Sequence, residues 1–169
     1  SEGHYGVSLL NDCKYGHSIK DSNMALTLIK SGIEPNPVAD QEEHFFTYAI
    51  YPHAEGWQQA GTVREAYYLN QPAIAVNGGE PGCSSCLATV DKANVVLETI
   101  KAAEDGSGTV FRMYETENAK TKAHLIVNRP FAKAYICNLL EETEQEAVVE
   151  GSRIEVLCRP YEVVTVKVV

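Results

Sequence analysis

Lys122-Ala123-His124-Leu125-Ile126-Val127-Asn128 is the stretch on which the fold reading turns. Ala123, Leu125 and Val127 fall on one face, while Lys122, His124 and Ile126 fall on the other. That is the two-residue period of a strand, not the 3.6-residue period of a helix. Other segments repeat it. Met24, Leu26 and Leu28 oppose Ala25, Thr27 and Ile29, and Val164, Val166 and Val168 oppose Val163, Thr165 and Lys167. Many of these residues are β-branched, and Gly, Asn, Asp or Pro bounds the runs.

Extending the pattern outward predicts strands near 5–11, 23–30, 44–52, 72–77, 85–90, 94–104, 109–117, 122–128, 133–140, 146–150, 153–158 and 161–169. Glu104-Asp105-Gly106-Ser107-Gly108 and Glu150-Gly151-Ser152 have the composition of tight hairpin turns. One segment departs from the pattern. Ala60, Val63 and Tyr67 recur at helical spacing between Gly56 and Leu69, and Asn70 with Pro72 supplies a stop. The fold class expected is mainly β, an antiparallel β-sandwich with one short helix. At 169 residues the chain fits one large domain, or two β units sharing a core. Asn77-Gly78-Gly79-Glu80-Pro81-Gly82 marks a candidate seam near 77–83.

Composition narrows the function. With 23 acidic against 14 basic residues the net charge is −9. That balance disfavours nucleic acid and anionic membrane as partners. No run approaches the roughly 20 apolar residues of a membrane helix. The N-terminal Ser1-Glu2-Gly3-His4-Tyr5-Gly6 lacks an initiator Met and the features of a secretion signal, so it reads as a cut within a longer protein or a processed product. Five scattered cysteines, Cys13, Cys83, Cys86, Cys137 and Cys158, do not form a disulfide framework and suit a reducing cytoplasmic setting.

Several clusters carry chemistry. The segment from Tyr5 to Ser18 runs from a strand into a loop that gathers Asp12, Lys14, Tyr15 and His17. Such a loop either lines a polar ligand site or is a solvated turn capped by Asn11 and Asp12. Phe46, Tyr48 and Tyr51 suit stacking on a sugar or, more simply, core packing of a half-buried strand. His44 and His53 are too far apart on a strand for a local zinc site. Cys83-Ser84-Ser85-Cys86 is a CxxC without the helix of a redox pair or the second ligand pair of a zinc site. Glycoside hydrolysis needs two carboxylates about 5 to 10 Å apart. Glu98, Asp105, Glu115, Glu141 and Glu142 fall mostly on turns or outward strand positions, and nothing in the sequence pairs them.

Longer blocks resemble a known family. Tyr5 to Gly16 is similar to the "YGVALLNDCKYG" block of the cytosolic and vacuolar branch of family-38 α-mannosidases. Met24 to Ser31 resembles "MRLSLLRS". Pro35 to Asp40 and His44 to His53 together resemble "PDPxAD…HEFTYALYPH", and Ala66 to Pro72 resembles "EAyxLNxP". Asn94 to Lys101 is similar to "NVVLETVK", Arg112 to Glu115 to "RLYE", and Arg159 to Lys167 to "KPFEIxTLK". The blocks keep the family's order. Gln41-Glu42-Glu43 and the Cys83 to Cys86 stretch depart from it.

The resemblance implies a C-terminal β-rich piece of a retaining exo-α-mannosidase. In that family zinc and an Asp nucleophile sit in an N-terminal α/β barrel, the nucleophile forming a covalent mannosyl intermediate that water resolves. No catalytic residue or metal ligand carries over to this chain. Its expected partners are the barrel of the same polypeptide, a mannoside substrate met indirectly, and a second copy in a homo-oligomer. Asp12, Lys14, Tyr15 and His17 are the candidates for the substrate rim. The alternative is a carbohydrate-binding β-sandwich module that recognises mannosides by itself.

Overall fold

The computed structural model describes residues 3–78 and 85–169, which fold into strands and one helix, in two compact units spanning residues 1–77 and 78–169. All strand pairing is antiparallel. The mainly β architecture read from the alternation is therefore the one observed.

The first unit contains β1 (Tyr5–Asn11), β2 (His17–Lys20), β3 (Asn23–Leu26), β4 (Tyr48–Ala54) and the helix α1 (Thr62–Asn70). β1 pairs with β4, and β2 pairs with β3. The hairpin β2–β3 is absent from the sequence reading, which has a loop up to Ser18. Its two-residue turn is Asp21-Ser22, with Asp21 at φ 52, a left-handed position that Asp tolerates. Three expected boundaries shift. The strand expected over 23–30 stops at Leu26, that over 44–52 starts at Tyr48, and the helix starts at Thr62 after turns. No strand forms over 72–77, where Ile74 and Val76 are 89% and 81% exposed. Alternation makes a strand only where a neighbouring backbone accepts it.

The second unit holds β5 (Ala88–Val90), β6 (Val95–Ala102), β7 (Thr109–Glu115), β8 (Thr121–Val127), β9 (Ala134–Cys137), β10 (Thr143–Glu146), β11 (Val149–Glu150), β12 (Arg153–Cys158) and β13 (Val163–Val168). They form a five-stranded sheet, β10-β9-β13-β7-β6, and a four-stranded sheet, β11-β12-β8-β5. The single strand expected over 146–150 is two short ones. The chain leaves the five-stranded sheet after Glu146 and joins the four-stranded one at Val149.

The alternation now has a physical object. Phe111 and Met113 of β7 and Val164, Val166 and Val168 of β13 meet Ala123, Leu125 and Val127 of β8 and Ile154 and Val156 of β12 in one buried cluster. Each large apolar side chain removed from water there contributes about 1.5–3 kcal/mol. Cys158 lies in the same cluster, and burial pushes its thiol up to about 11, so it behaves as a small apolar residue.

One buried charge organises the end of this sandwich. Glu115, at 1% exposure, accepts hydrogen bonds from Asn94 Nδ2 (2.9 Å), the Glu117 N–H (2.8 Å) and the Tyr161 N–H (3.0 Å). The carboxylate thereby ties the turns before β6, after β7 and before β13, and it steadies Tyr161 in the left-handed region at φ 57. Burial pushes its pKa up, but the Tyr161 and Glu117 amides and the Asn94 side chain outweigh burial, and the net shift is downward. Glu141, also buried, binds Lys101 at 2.7 Å and the Glu104 N–H at 2.8 Å. Both carboxylates are consumed by structure.

A folded pKa below the ordinary value of 4.5 means that the Glu115 contribution is complete above that value. It is lost as pH falls through the folded value. Glu115→Gln places an NH2 group against N–H donors and is expected to cost about 2–4 kcal/mol. Thermal melts across acid pH check this, with the variant less stable at neutral pH and its stability less dependent on acidification.

Candidate functional site

Gly6 and His53 stand opposite each other in the β1–β4 register, and both are buried. A Cβ at position 6 would lie 2.3 Å from His53 Cε1, so the imidazole occupies the space that a side chain would take. His53 Nε2 is 3.0 Å from Ser8 Oγ, and Ser8 Oγ is 2.8 Å from Thr62 Oγ1 at the start of α1. Nδ1 is 3.3 Å from the Ala54 carbonyl oxygen. A neutral ring with its proton on Nδ1 satisfies the set: Nδ1–H donates to that carbonyl, Ser8 donates to Nε2, and Thr62 donates to Ser8.

The Ser8–His53 pair has the reach of a nucleophile and its base, but both polar contacts of the ring are to neutral groups. A catalytic imidazole gains from a carboxylate that stabilises its charged form. Here the chain of hydroxyls does something else. It pins the first residue of α1 to β1, and Tyr51 adds a second pin by donating to the Ala60 carbonyl at 3.1 Å.

A cleft of about 350 Å³ wraps the edge of β1. Val7 and Leu9 line it from one face of the strand, with Ser8 and His53 from the other. Ile19 and Met24 of the hairpin form the opposite wall, and Trp57 also contributes.

The structure separates the four residues expected at the rim. Asp12 extends the β1–β4 ladder. Its N–H donates to the Thr47 carbonyl (3.2 Å), and its carboxylate accepts the Thr47 N–H (2.9 Å). That N–H is the main reason the Asp12 pKa is lowered. The Lys14 N–H donates to Asn11 Oδ1 at 2.7 Å, and its ammonium lies 4.9 Å from the Phe46 ring centre. Tyr15 is 85% exposed. His17 lies in β2 and lines the cleft. Asp12 and Lys14 thus meet the segment before β4, and His17 alone joins the cleft.

Phe46 stacks on Tyr48 with ring centres 6.5 Å apart, and Tyr48 is 55% exposed, so this pair forms a surface aromatic patch instead of a core. His44 Nε2 is 2.9 Å from the Asp40 carbonyl oxygen, which closes the acidic turn. Sequence reading missed Ser8, Thr62 and Trp57, and it weighed His53 only as a metal ligand. The pairing of His53 with Gly6 depends on a register that joins residues 47 positions apart, 53 − 6. The lone Trp was the one compositional hint.

No group of three or more His, Cys, Asp or Glu among the described residues is gathered closely enough to hold a metal. Cys83 lies outside the described residues. Cys86 is exposed, and its thiol donates to the Ala88 carbonyl at 3.0 Å.

Residues 94–166 match the glycosyl hydrolases family 38 C-terminal beta sandwich domain, and residues 1–38 match the glycosyl hydrolases family 38 C-terminal domain. Over its full length the chain is 34% identical to alpha-mannosidase 2C1 of Homo sapiens, spanning 17% of that protein. It is 32% identical to alpha-mannosidase G of Dictyostelium discoideum, with 98% of this chain and 16% of that protein aligned. The chain therefore spans about a sixth of the length of these curated relatives. The crystal structure of an alpha-mannosidase from Enterococcus faecalis V583 shares the fold, with a TM-score of 0.72 at 19% identity, covering 99% of this chain and 20% of that one.

Gly6→Ala forces the His53 ring out of its place and is expected to cost about 1–3 kcal/mol by overpacking. Ser8→Ala, which installs the alanine of the resembled block, removes two hydrogen bonds and is expected to cost about 1 kcal/mol. Melting midpoints decide between them. A Gly6→Ala protein as stable as wild type contradicts the packing described.

Proposed function

The chain belongs to glycosyl hydrolase family 38, and we propose that it is the C-terminal β-rich part of a retaining, zinc-dependent exo-α-mannosidase that removes mannose from oligosaccharides. In this reading the chain completes and supports the catalytic barrel of the same polypeptide, and its one or two β units together make up the enzyme's C-terminal region. The carrying observation is the burial of the first unit. Among its described residues only Gly6, Leu10 and His53 are buried, while Ile19, Phe45 and Ile50 are 73%, 83% and 64% exposed. A single buried aliphatic side chain falls far short of the ordering entropy of some seventy residues. Such a surface is made to be covered.

The zinc ion and the nucleophile of that reading are assigned to the rest of the polypeptide, and among the described residues no group of three or more His, Cys, Asp or Glu is gathered closely enough to hold a metal. The four described cysteines are free thiols, which suits a cytoplasmic enzyme. No helix among the described residues is long and apolar enough to cross a membrane.

The loop expected over 11–18, which in the structure ends at Gly16 where β2 begins with His17, is proposed to meet the rim of the catalytic cleft. Its base is fixed by the Asp12–Thr47 and Asn11–Lys14 bonds, and its tip presents Tyr15 outward. Rigid support with an exposed tip is the arrangement that lets a loop act on a neighbouring site.

Three measurements test this reading. The purified 169-residue chain is expected to hydrolyse no aryl α-mannoside, with or without added zinc, and zinc-dependent turnover by it overturns the assignment. Millimolar or tighter mannose binding by the same sample favours the free-standing binding module. In the full-length enzyme, Lys14→Ala and Tyr15→Phe are expected to lower kcat/KM about 5- to 200-fold, equivalent to 1–3 kcal/mol of transition-state binding. Unchanged kinetics with reduced stability makes the loop structural only.

A further inference from the structure

The two outer edges of the β1–β4 ribbon are not alike. Glu55 N–H donates to the His4 carbonyl, and Asp12 N–H donates to the Thr47 carbonyl. These bonds fix the alternation of the ladder. Gly6, Ser8 and Leu10 therefore exchange hydrogen bonds with β4, while the N–H and C=O groups of Tyr5, Val7, Leu9 and Asn11 point the other way. The Asn11 carbonyl is capped by Asn70 Nδ2 at 3.1 Å. Tyr5, Val7 and Leu9 have no backbone partner on that side among the described residues.

By the same alternation the outer edge of β4 is made by Tyr48, Ile50, Pro52 and Ala54. Pro52 has no N–H and interrupts that edge at its middle, a usual protection against an added strand. The β1 edge carries no such block. Beside it runs the cleft, walled by Ile19 and Met24, which are 73% and 41% exposed.

We infer that the free edge of β1 pairs with an extended strand of the same polypeptide, drawn from the part of the enzyme that lies outside this chain. Backbone groups of Tyr5, Val7 and Leu9 supply the ladder, and Ile19 and Met24 close over the incoming strand. This rests on the reading of the chain as a portion of a longer α-mannosidase. Two observations select that occupant. The chain spans 17% of the human relative's length, so ample polypeptide is available in cis. The unit that holds β1, residues 1–77, buries only Gly6, Leu10 and His53 among its described residues, too little for an independent β core. A second copy of the chain is the competing occupant.

Residue-resolved hydrogen exchange on the full-length enzyme tests the inference. The Val7 and Leu9 amides, which face away from β4, are expected to exchange at least about a hundred-fold more slowly than unstructured amides, at any protein concentration. Protection lost on dilution assigns the edge to a second copy, and free exchange at both amides overturns the pairing altogether. Val7→Pro removes a donor from the proposed ladder, whereas Ile50→Pro removes an equivalent outward N–H from the β4 edge. The first is expected to lower the melting midpoint more than the second, and equal midpoints count against the inference. Activity is not the readout. Protected amides in a polypeptide without α-mannosidase activity uphold the strand pairing and overturn the proposed reaction instead.

Discussion

A two-stranded ladder satisfies backbone hydrogen bonds on one side of each strand, and that constraint governs the first unit. β1 and β4 meet along seven residue pairs, from Tyr5↔Ala54 to Asn11↔Tyr48. Isolated ribbons of this kind are marginal in water without further strands or a packed face. The His53–Ser8–Thr62 chain and the Tyr51–Ala60 bond hold α1 against the ribbon, yet no residue of α1 is buried. Polar pins fix geometry, but they do not remove apolar surface from water. The exposed β2–β3 hairpin, the open β1 edge and the uncovered Ile50 all follow from that shortage.

The second unit resolves the same problem internally. Its two sheets bury a continuous apolar cluster from Ala88 to Val168, so alternation on each strand has an inside to face. Having a core, it also tolerates a buried carboxylate. Glu115 is useful because a low-dielectric site strengthens its bonds to the Tyr161 and Glu117 amides, and three turns are fixed by one side chain. The contrast between the units supports one account of the chain: a self-sufficient sandwich joined in sequence to a segment whose apolar surface calls for more polypeptide.

The sandwich was legible in the sequence for the reason that it is stable. Ala123, Leu125 and Val127 alternate because a core removes them from water, and burial leaves its mark in composition. Strand β2 was not legible because nothing in His17-Ser18-Ile19-Lys20 is buried. Ile74 and Val76 misled for the opposite reason, since they alternate without a neighbouring strand to pair with. The polar site was hidden most deeply. Glu115 looked like an outward strand residue, and the contact of His53 with Gly6 exists only once the β1–β4 register is set. The rim candidates Asp12 and Lys14 were found by clustering in sequence, but clustering could not say that Asp12 continues a ladder and that Lys14 faces Phe46.

Limited proteolysis of the 169-residue chain, with the products mapped by mass spectrometry, tests most directly whether the first unit depends on polypeptide outside it. The account predicts early cuts throughout residues 1–77, leaving a resistant fragment that contains β5 to β13. A first unit that survives as long as the sandwich would contradict it.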